Sequence, residues 1–404
     1  MTLKISFKVF LGALLLFILQ PVDAKVYSDD LKTIEIRKVV NKAISWQREN
    51  MPTKDREIWN PQFTGWSDGV FFGALADWAE YDNSLKIREW YESIAEKNRW
   101  QVSSPTLNPA NDIAVSLMYG RIWLNNPQKK ILVNSVDDWE IETVKKLFGG
   151  WISLIPTIER LDYQMKYYPE TSDLSFKNPE NHQRWSWCDA LYMAAPTYAL
   201  FANITGNDDY REFMNREFWF TTEMLYDTQE HLFFRDTRFF TMKEANGAKV
   251  FWGRGNGWVV AAIARILQYL PADYPDRPRY EKLFSELMAR LVTLQDSKGY
   301  WHTSLLDTVK YVSPETSATG FISYALWWGI NNGVLSEKDY LPYAKKSWSA
   351  MVSAVHKNGK LGYVQPIGDA PENISKDKNE VYGTAALMMA GLEAAKYVSK
   401  STQK

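Results

Sequence analysis

Six segments of this chain are apolar nearly all the way round a helix, and each opens on Gly, Asp, Ser, Thr or a neighbouring polar residue. They begin at GWSDGVFFGALADW (residue 65), PANDIAVSLMYGRIW (109), SWCDALYMAAPTYAL (186), GNGWVVAAIARIL (255), ETSATGFISYALWW (315) and VYGTAALMMAGL (381). A helix without a polar face has to be enclosed by other helices. The stretches between them, at 31 to 48, 85 to 98, 208 to 222, 280 to 294 and 338 to 355, have one polar and one apolar face. In KLFSELMARLVTL, for example, Leu283, Phe284, Leu287, Met288 and Leu291 form one stripe, with Glu286 and Arg290 opposite. A ring of six enclosed helices needs a second ring to keep water off it, so the pattern predicts an all-α fold, an (α/α)6 barrel. The spacing of the six starts is loose, a period of helix pairs rather than of sequence. No Pro/Gly/Ser-rich linker interrupts it, which predicts a single domain over residues 25–404.

The first 24 residues stand apart. Lys4 and Lys8 precede an apolar run from Val9 to Leu19, and Val22-Asp23-Ala24 offers the small residues at which a signal peptidase cuts. The run is too short for a permanent anchor. The expectation is a signal peptide over 1–24 and a mature protein secreted, in a bacterium to the periplasm, with no membrane association after cleavage. Cys188 is the only cysteine, so export brings no internal disulfide and the fold rests on its core. With 47 basic and 48 acidic side chains the net charge is -1, which excludes nucleic-acid binding by charge. Tryptophan is abundant, 18 residues, and indole faces stack on the apolar faces of sugar rings.

In such a barrel the inner helices all begin at one mouth, and there this sequence gathers Trp66, Asp112, Trp187, Asp189, Arg254 and Trp258. Helix N-termini favour anions, so the expected ligand is a sugar carrying a carboxylate. Asp189, in RWSWCDALYMAAP, has two readings. It either caps its helix or, desolvated between Trp185 and Trp187, keeps a proton to donate. Asp112 has the same ambiguity and makes a two-carboxylate site geometrically open. In FWGRGNGW (251 to 258) the glycines either permit a tight turn or let Trp252, Arg254 and Trp258 approach a ligand, with Arg254 able to grip a carboxylate bidentately. His182, seven residues before Asp189, is either a pocket residue or an exposed loop histidine. Glu315 is expected to cap its helix. The four histidines and one cysteine show no metal-ligand spacing, so neither metal nor other cofactor is expected. The absence of GxSxG argues against a serine hydrolase.

W-x-D-x-L-Y-M-A-x-P (Trp187 to Pro196) and W-x-R-G-N-G-W (Trp252 to Trp258) resemble motifs of the unsaturated glucuronyl and rhamnogalacturonyl hydrolases, glycoside hydrolases on an (α/α)6 barrel. The resemblance runs over nearly the whole mature chain. It implies that Asp189 is the general acid/base, that Trp252, Arg254 and Trp258 contact an unsaturated uronic acid, that Asp112 is a second family aspartate, and that Trp66 is a pocket aromatic. It also implies the partner, an oligosaccharide ending in a 4,5-unsaturated uronic acid left by a polysaccharide lyase. The implied chemistry is protonation of the C4=C5 vinyl ether at C4, addition of water at C5, and collapse that frees the next sugar without attack at C1. Competing readings are an inverting glycosidase using Asp189 and Asp112 on saturated sugars, an epimerase or lyase on the same scaffold, and a sugar-binding toroid without catalysis. One departure stands out: HLFFRDTRFF places Arg235 where the rhamnogalacturonyl type carries a histidine.

Overall fold

A computed structural model describes residues 26–51, 63–106, 108–125 and 154–401. The expected signal peptide lies outside the described residues. Outer and inner helices alternate along the chain: α1 (Thr33–Asn50) outer, α2 (Trp66–Asp82) inner, α3 (Leu85–Lys97) outer, then α4 (Pro109–Asp112) and α5 (Ser116–Leu124) as one broken inner helix. The outer α6 (Ile155–Lys166) is followed by a second broken inner helix, α7 (Ala190–Met193) and α8 (Ala195–Thr205), and the outer α9 (Asp208–Leu225). The remaining five helices run inner α10 (Gly253–Tyr269), outer α11 (Arg277–Val292), inner α12 (Thr316–Asn331), outer α13 (Glu337–Ser353) and inner α14 (Val381–Ser401).

The inner helices close a ring, since α2 packs on α5, α5 on α8, α8 on α10, α10 on α12, α12 on α14 and α14 back on α2. Around it α1 covers α14, α3 covers α2, and α9, α11 and α13 cover α8, α10 and α12. The sixth outer helix, α6, is not among the amphipathic stretches picked out above. It is tied to the second inner helix by the Thr157–Ser116 hydroxyl pair at 2.9 Å and by Gln164 Nε2 donating to Pro109 O at 2.9 Å. The fold is the expected (α/α)6 barrel. Among the described residues its strands are confined to two short antiparallel hairpins, β1 (Tyr226–Asp227) with β2 (Leu232–Phe233) and β3 (Trp301–His302) with β4 (Pro314–Glu315). The second hairpin runs directly into an inner helix, since β4 ends at Glu315 and α12 starts at Thr316.

Burial follows the two helix kinds. From Gly253 to Leu267 every residue of α10 is buried, whereas α11 buries one stripe that includes Leu283, Phe284, Leu287, Met288 and Leu291. Several tryptophans serve this core rather than a pocket: Trp78, Trp301, Trp327 and Trp348 are at most 1% exposed. The inner helix read through LYMAAP is not continuous. Pro196 has no N–H to bond back to Tyr192, so the helix halts after Met193, Ala194 takes φ -110°, and α8 restarts with Pro196 in its first turn, where proline fits.

Candidate active site

Asp189 stands at the N-cap position of α7, yet its side chain makes no capping hydrogen bond. The capping explanation therefore fails for this residue. Its carboxylate is 13% exposed, 3.6 Å from Arg235 Nε, and accepts the Cys188 thiol at 3.6 Å. Burial pushes the Asp189 carboxyl above its usual range, against the opposing pull of Arg235 and Arg254. Trp187 is buried on the Phe176 side, ring centroids 6.2 Å apart and nearly perpendicular. Trp185 is not its counterpart: it packs against Tyr198 and Phe213, and its carbonyl accepts from Thr221 Oγ1 at 2.6 Å. The desolvation of Asp189 thus comes from its own largely enclosed position, not from a tryptophan pair.

GRGNGW is helix, not a loop leading into one, because α10 begins at Gly253. A Cβ on Gly253 would sit 2.2 Å from the His302 carbonyl oxygen, and one on Gly255 would meet Cys188 Sγ at 3.0 Å. The first two glycines admit the chain's own β3 backbone and the residue preceding Asp189. Asn256 spans β2, accepting from Phe233 N at 2.8 Å and donating to Phe233 O at 3.0 Å. Arg254 is 1% exposed and lies over the rings of Trp252 (4.4 Å) and Tyr382 (5.0 Å). Its Nη1 donates to Gln365 O at 2.7 Å and its Nη2 to Pro366 O at 2.9 Å, so the fork expected to grip a carboxylate is spent on loop carbonyls. Nε is left as a buried donor without an acceptor. Trp252 Nε1 donates to Gln365 Oε1 at 2.8 Å. Trp258 forms an aromatic floor with Tyr192 (4.8 Å) and Phe321 (4.1 Å), and Trp66 stacks on Tyr382 at 5.4 Å while meeting Trp258 edge-on at 6.4 Å.

Asp112 is a different kind of carboxylate. Thr106 donates to it twice, from N at 3.0 Å and Oγ1 at 2.8 Å, and Arg160 Nη1 approaches at 3.4 Å. Burial still pushes its pKa up against those partners. His182 lies in the turn Pro179–Gln183, stacked on Phe176 at 3.9 Å with Nε2 2.9 Å from the Phe176 carbonyl, so it props the Phe176 ring that faces Trp187 and Arg235. Glu315 does cap α12, accepting from Ser317 N and Ala318 N. Gln365 was not foreseen. It takes Trp252, Arg254 and Tyr382 as donors, and its own N–H donates to Glu315. It stands in an irregular segment whose pattern carries no periodicity, and only the polar residue between Val364 and Pro366 marks it.

The chain matches Glycosyl Hydrolase Family 88 over residues 35–398 and belongs to that family. It is therefore a glycoside hydrolase of the kind its two motifs suggest. It is 34% identical over 380 residues to an unsaturated 3S-rhamnoglycuronyl hydrolase of Formosa agariphila, covering 92% of this chain and 94% of the relative. It is 33% identical to a protein of the same name from an Alteromonas species, covering 81% of this chain and 76% of that one. Among solved structures, a family 88 glycosyl hydrolase from Bacteroides vulgatus superposes with a TM-score of 0.72 at 24% identity, covering 91% of this chain and 99% of that one. That likeness is one of fold.

Proposed function

We propose that this hydrolase releases a 4,5-unsaturated uronic acid from the non-reducing end of lyase-generated oligosaccharides, with Asp189 as both acid and base, and with unsaturated rhamnoglycuronyl units as the first substrates to try. The observation that carries the reading is a largely buried, uncapped carboxyl, its pKa raised by burial, at the N-terminal end of an inner helix, in a barrel whose neighbouring helix starts carry the packed Trp66, Tyr382 and Trp258 rings. A carboxyl whose pKa is raised by burial holds its proton to higher pH and can give it to C4 of a vinyl ether. The cation at C5 is stabilised by the ring oxygen. The carboxylate then takes a proton from the water that adds at C5, the hemiketal opens, and the hemiacetal at C1 expels the next sugar. Each proton given is returned, so one aspartate suffices. The bonds from Thr106 and Arg160 to Asp112 suit that residue to shaping the mouth better than to acting as an inverting base. Arg254, with its charge opposed by no carboxylate within 4.0 Å among the described residues, favours an anionic sugar in the pocket. The N-terminal Lys4, Lys8 and apolar run support secretion, to the periplasm in a bacterium.

The test follows the ultraviolet absorbance of the conjugated C4=C5 bond in lyase-treated oligosaccharides. Loss of absorbance with release of the shortened sugar is expected; a rise would mark a lyase, and sugar release at constant absorbance an ordinary glycosidase. Asp189→Asn is expected to lower the rate by about 10³-fold or more, since both proton transfers are lost, while melting no lower than wild type.

A further inference from the structure

The connection between β2 and α10 brings a second charged residue to Asp189 with one donor unused. Arg235 is held on three sides: its Nη1 donates to Asp236 Oδ2 at 2.7 Å, its guanidinium lies 4.5 Å from the Phe176 ring, and its carbonyl accepts Cys188 N at 2.8 Å. Asp236 is itself fully buried and fixed by Arg238, which donates from N at 2.9 Å, from Nε at 2.8 Å and from Nη2 at 2.8 Å. The anchor cannot readily turn. Yet Arg235 Nε, buried, donates to nothing. The oxygen facing it, Asp189 Oδ2 at 3.6 Å, is beyond hydrogen-bond reach. Leaving a buried N–H unmade is costly, and in native proteins such a group calls for an explanation.

We propose that Arg235 is a positioning residue for Asp189, its Nε–H held ready for the carboxylate that forms once the Asp189 proton has gone to the substrate. This rests on the reading of Asp189 as the acid. While Asp189 is protonated the pair stays apart; on ionisation, closing to the 2.7–2.9 Å of a charge-assisted bond needs a movement of less than about 1 Å. The bond then orients the carboxylate for deprotonating water and limits how strongly it pulls its proton back. The charged and titratable groups facing Asp189 are Arg235 from the β2–α10 connection, Arg254 from α10 and the Cys188 thiol from its own segment, with Asp236 behind Arg235. Arg254 directs both Nη atoms to the carbonyls of 365 and 366 and forms no ion pair with Asp189 within 4.0 Å, so among the described residues Arg235 is the cation within 4.0 Å of that carboxylate.

The experiment compares pH profiles of kcat/KM for wild type, Arg235→Met, Arg235→Lys and Arg235→Gln, with Asp189→Asn alongside. Removing a neighbouring cation raises the pKa of an acid, so the basic limb of Arg235→Met is expected to move up by about one pH unit. Its kcat is expected to fall about 10- to 100-fold with KM within about twofold, and Arg235→Lys is expected to return the limb to within a few tenths of a unit of wild type. An unmoved limb overturns the proposal. So does a rise in KM at constant kcat, which would make Arg235 a ligand of the substrate carboxylate. Should Arg235→Met fail to fold, Arg235→Gln keeps a donor for Asp236 without the charge and is judged by the same limb. An active Asp189→Asn would sink the acid assignment itself, whereas an inactive Asp189→Asn beside an unshifted Arg235→Met would sink only this inference.

Discussion

Asp112 and Asp189 read alike in the sequence, each an acid at the start of an inner helix, and the structure separates them by their partners. Asp112 is hydrogen-bonded by Thr106 and Arg160; Asp189 has a thiol at 3.6 Å and a guanidinium just out of reach. Burial raises the Asp189 pKa, so the folded protein gives up this proton later than the unfolded chain. Stability from that group is fully present below the unfolded value of about 3.9 and is lost as pH rises towards the folded value. An uncharged isostere removes the penalty. Asp189→Asn is therefore expected to melt above wild type at pH 7, by on the order of 2 °C for a domain of this size, and to match it at pH 4 or below. A calorimetric pair of scans at those two pH values checks this. A variant that melts lower at pH 7 would restore the capping role that the missing hydrogen bond argues against. The same substitution thus trades activity for stability, as expected where a site keeps a group in an environment it does not favour.

At the scale of the element, the first turns of α10 carry most of the site. The glycines of GRGNGW suggest a backbone that approaches a ligand; what approaches Gly253 is the His302 carbonyl of β3, and the carbonyl of Thr303, the next residue, accepts Gly253 N–H at 2.7 Å. Gly253→Ala would place a methyl carbon 2.2 Å from that oxygen, so α10 or β3 has to shift. A loss of about 2–3 kcal/mol in denaturant unfolding is expected, together with reduced kcat, because Trp252 and Arg254 ride on the same turn. The helices themselves were legible in the sequence because an all-apolar surface leaves them one place to go. Their breaks were less so: Pro196 announces one, but the break at 113–115 in the second inner helix has no proline, and there Val115 abuts Gly69 of α2 instead. Trp187, Trp252, Arg254 and Trp258 were readable from their motifs. Gln365 and the buried, unpartnered Nε of Arg235 were not, since both depend on which distant segment folds over which.

For the whole molecule, a ring of parallel inner helices has unlike ends. The N-terminal mouth presents helix starts to an anionic substrate, and the opposite mouth gathers helix C-termini, where cations are favourable. There a cavity of about 260 Å³ is lined by Asp77, Glu80, Arg121, Arg265 and Gln268 among others. Arg265, 1% exposed, donates from Nη1 to Asp77 Oδ2 at 2.9 Å and from Nε to Tyr192 OH at 3.1 Å. Arg121 Nε lies 2.7 Å from the other oxygen of the same carboxylate. Asp77 belongs to α2, Arg121 to α5 and Arg265 to α10, so one acid holds three inner helices across the barrel. Burial opposes its charge, but Arg121, Arg265 and Lys396 outweigh it and hold the Asp77 pKa below the usual carboxylate value. That stabilisation is present above the unfolded value and is lost as pH falls through the folded one. Asp77→Asn leaves Arg265 buried without its counter-ion, which is expected to cost about 3–5 kcal/mol at pH 7, with the gap to wild type narrowing in acid. Because Tyr192 touches both Arg265 and the Trp258 floor, the far mouth is mechanically joined to the site. If that joint is passive, Asp77→Asn keeps kcat and KM near wild type at temperatures well below its melting point; a fall in kcat in the folded variant would show that the ionic cluster also sets the position of Trp258.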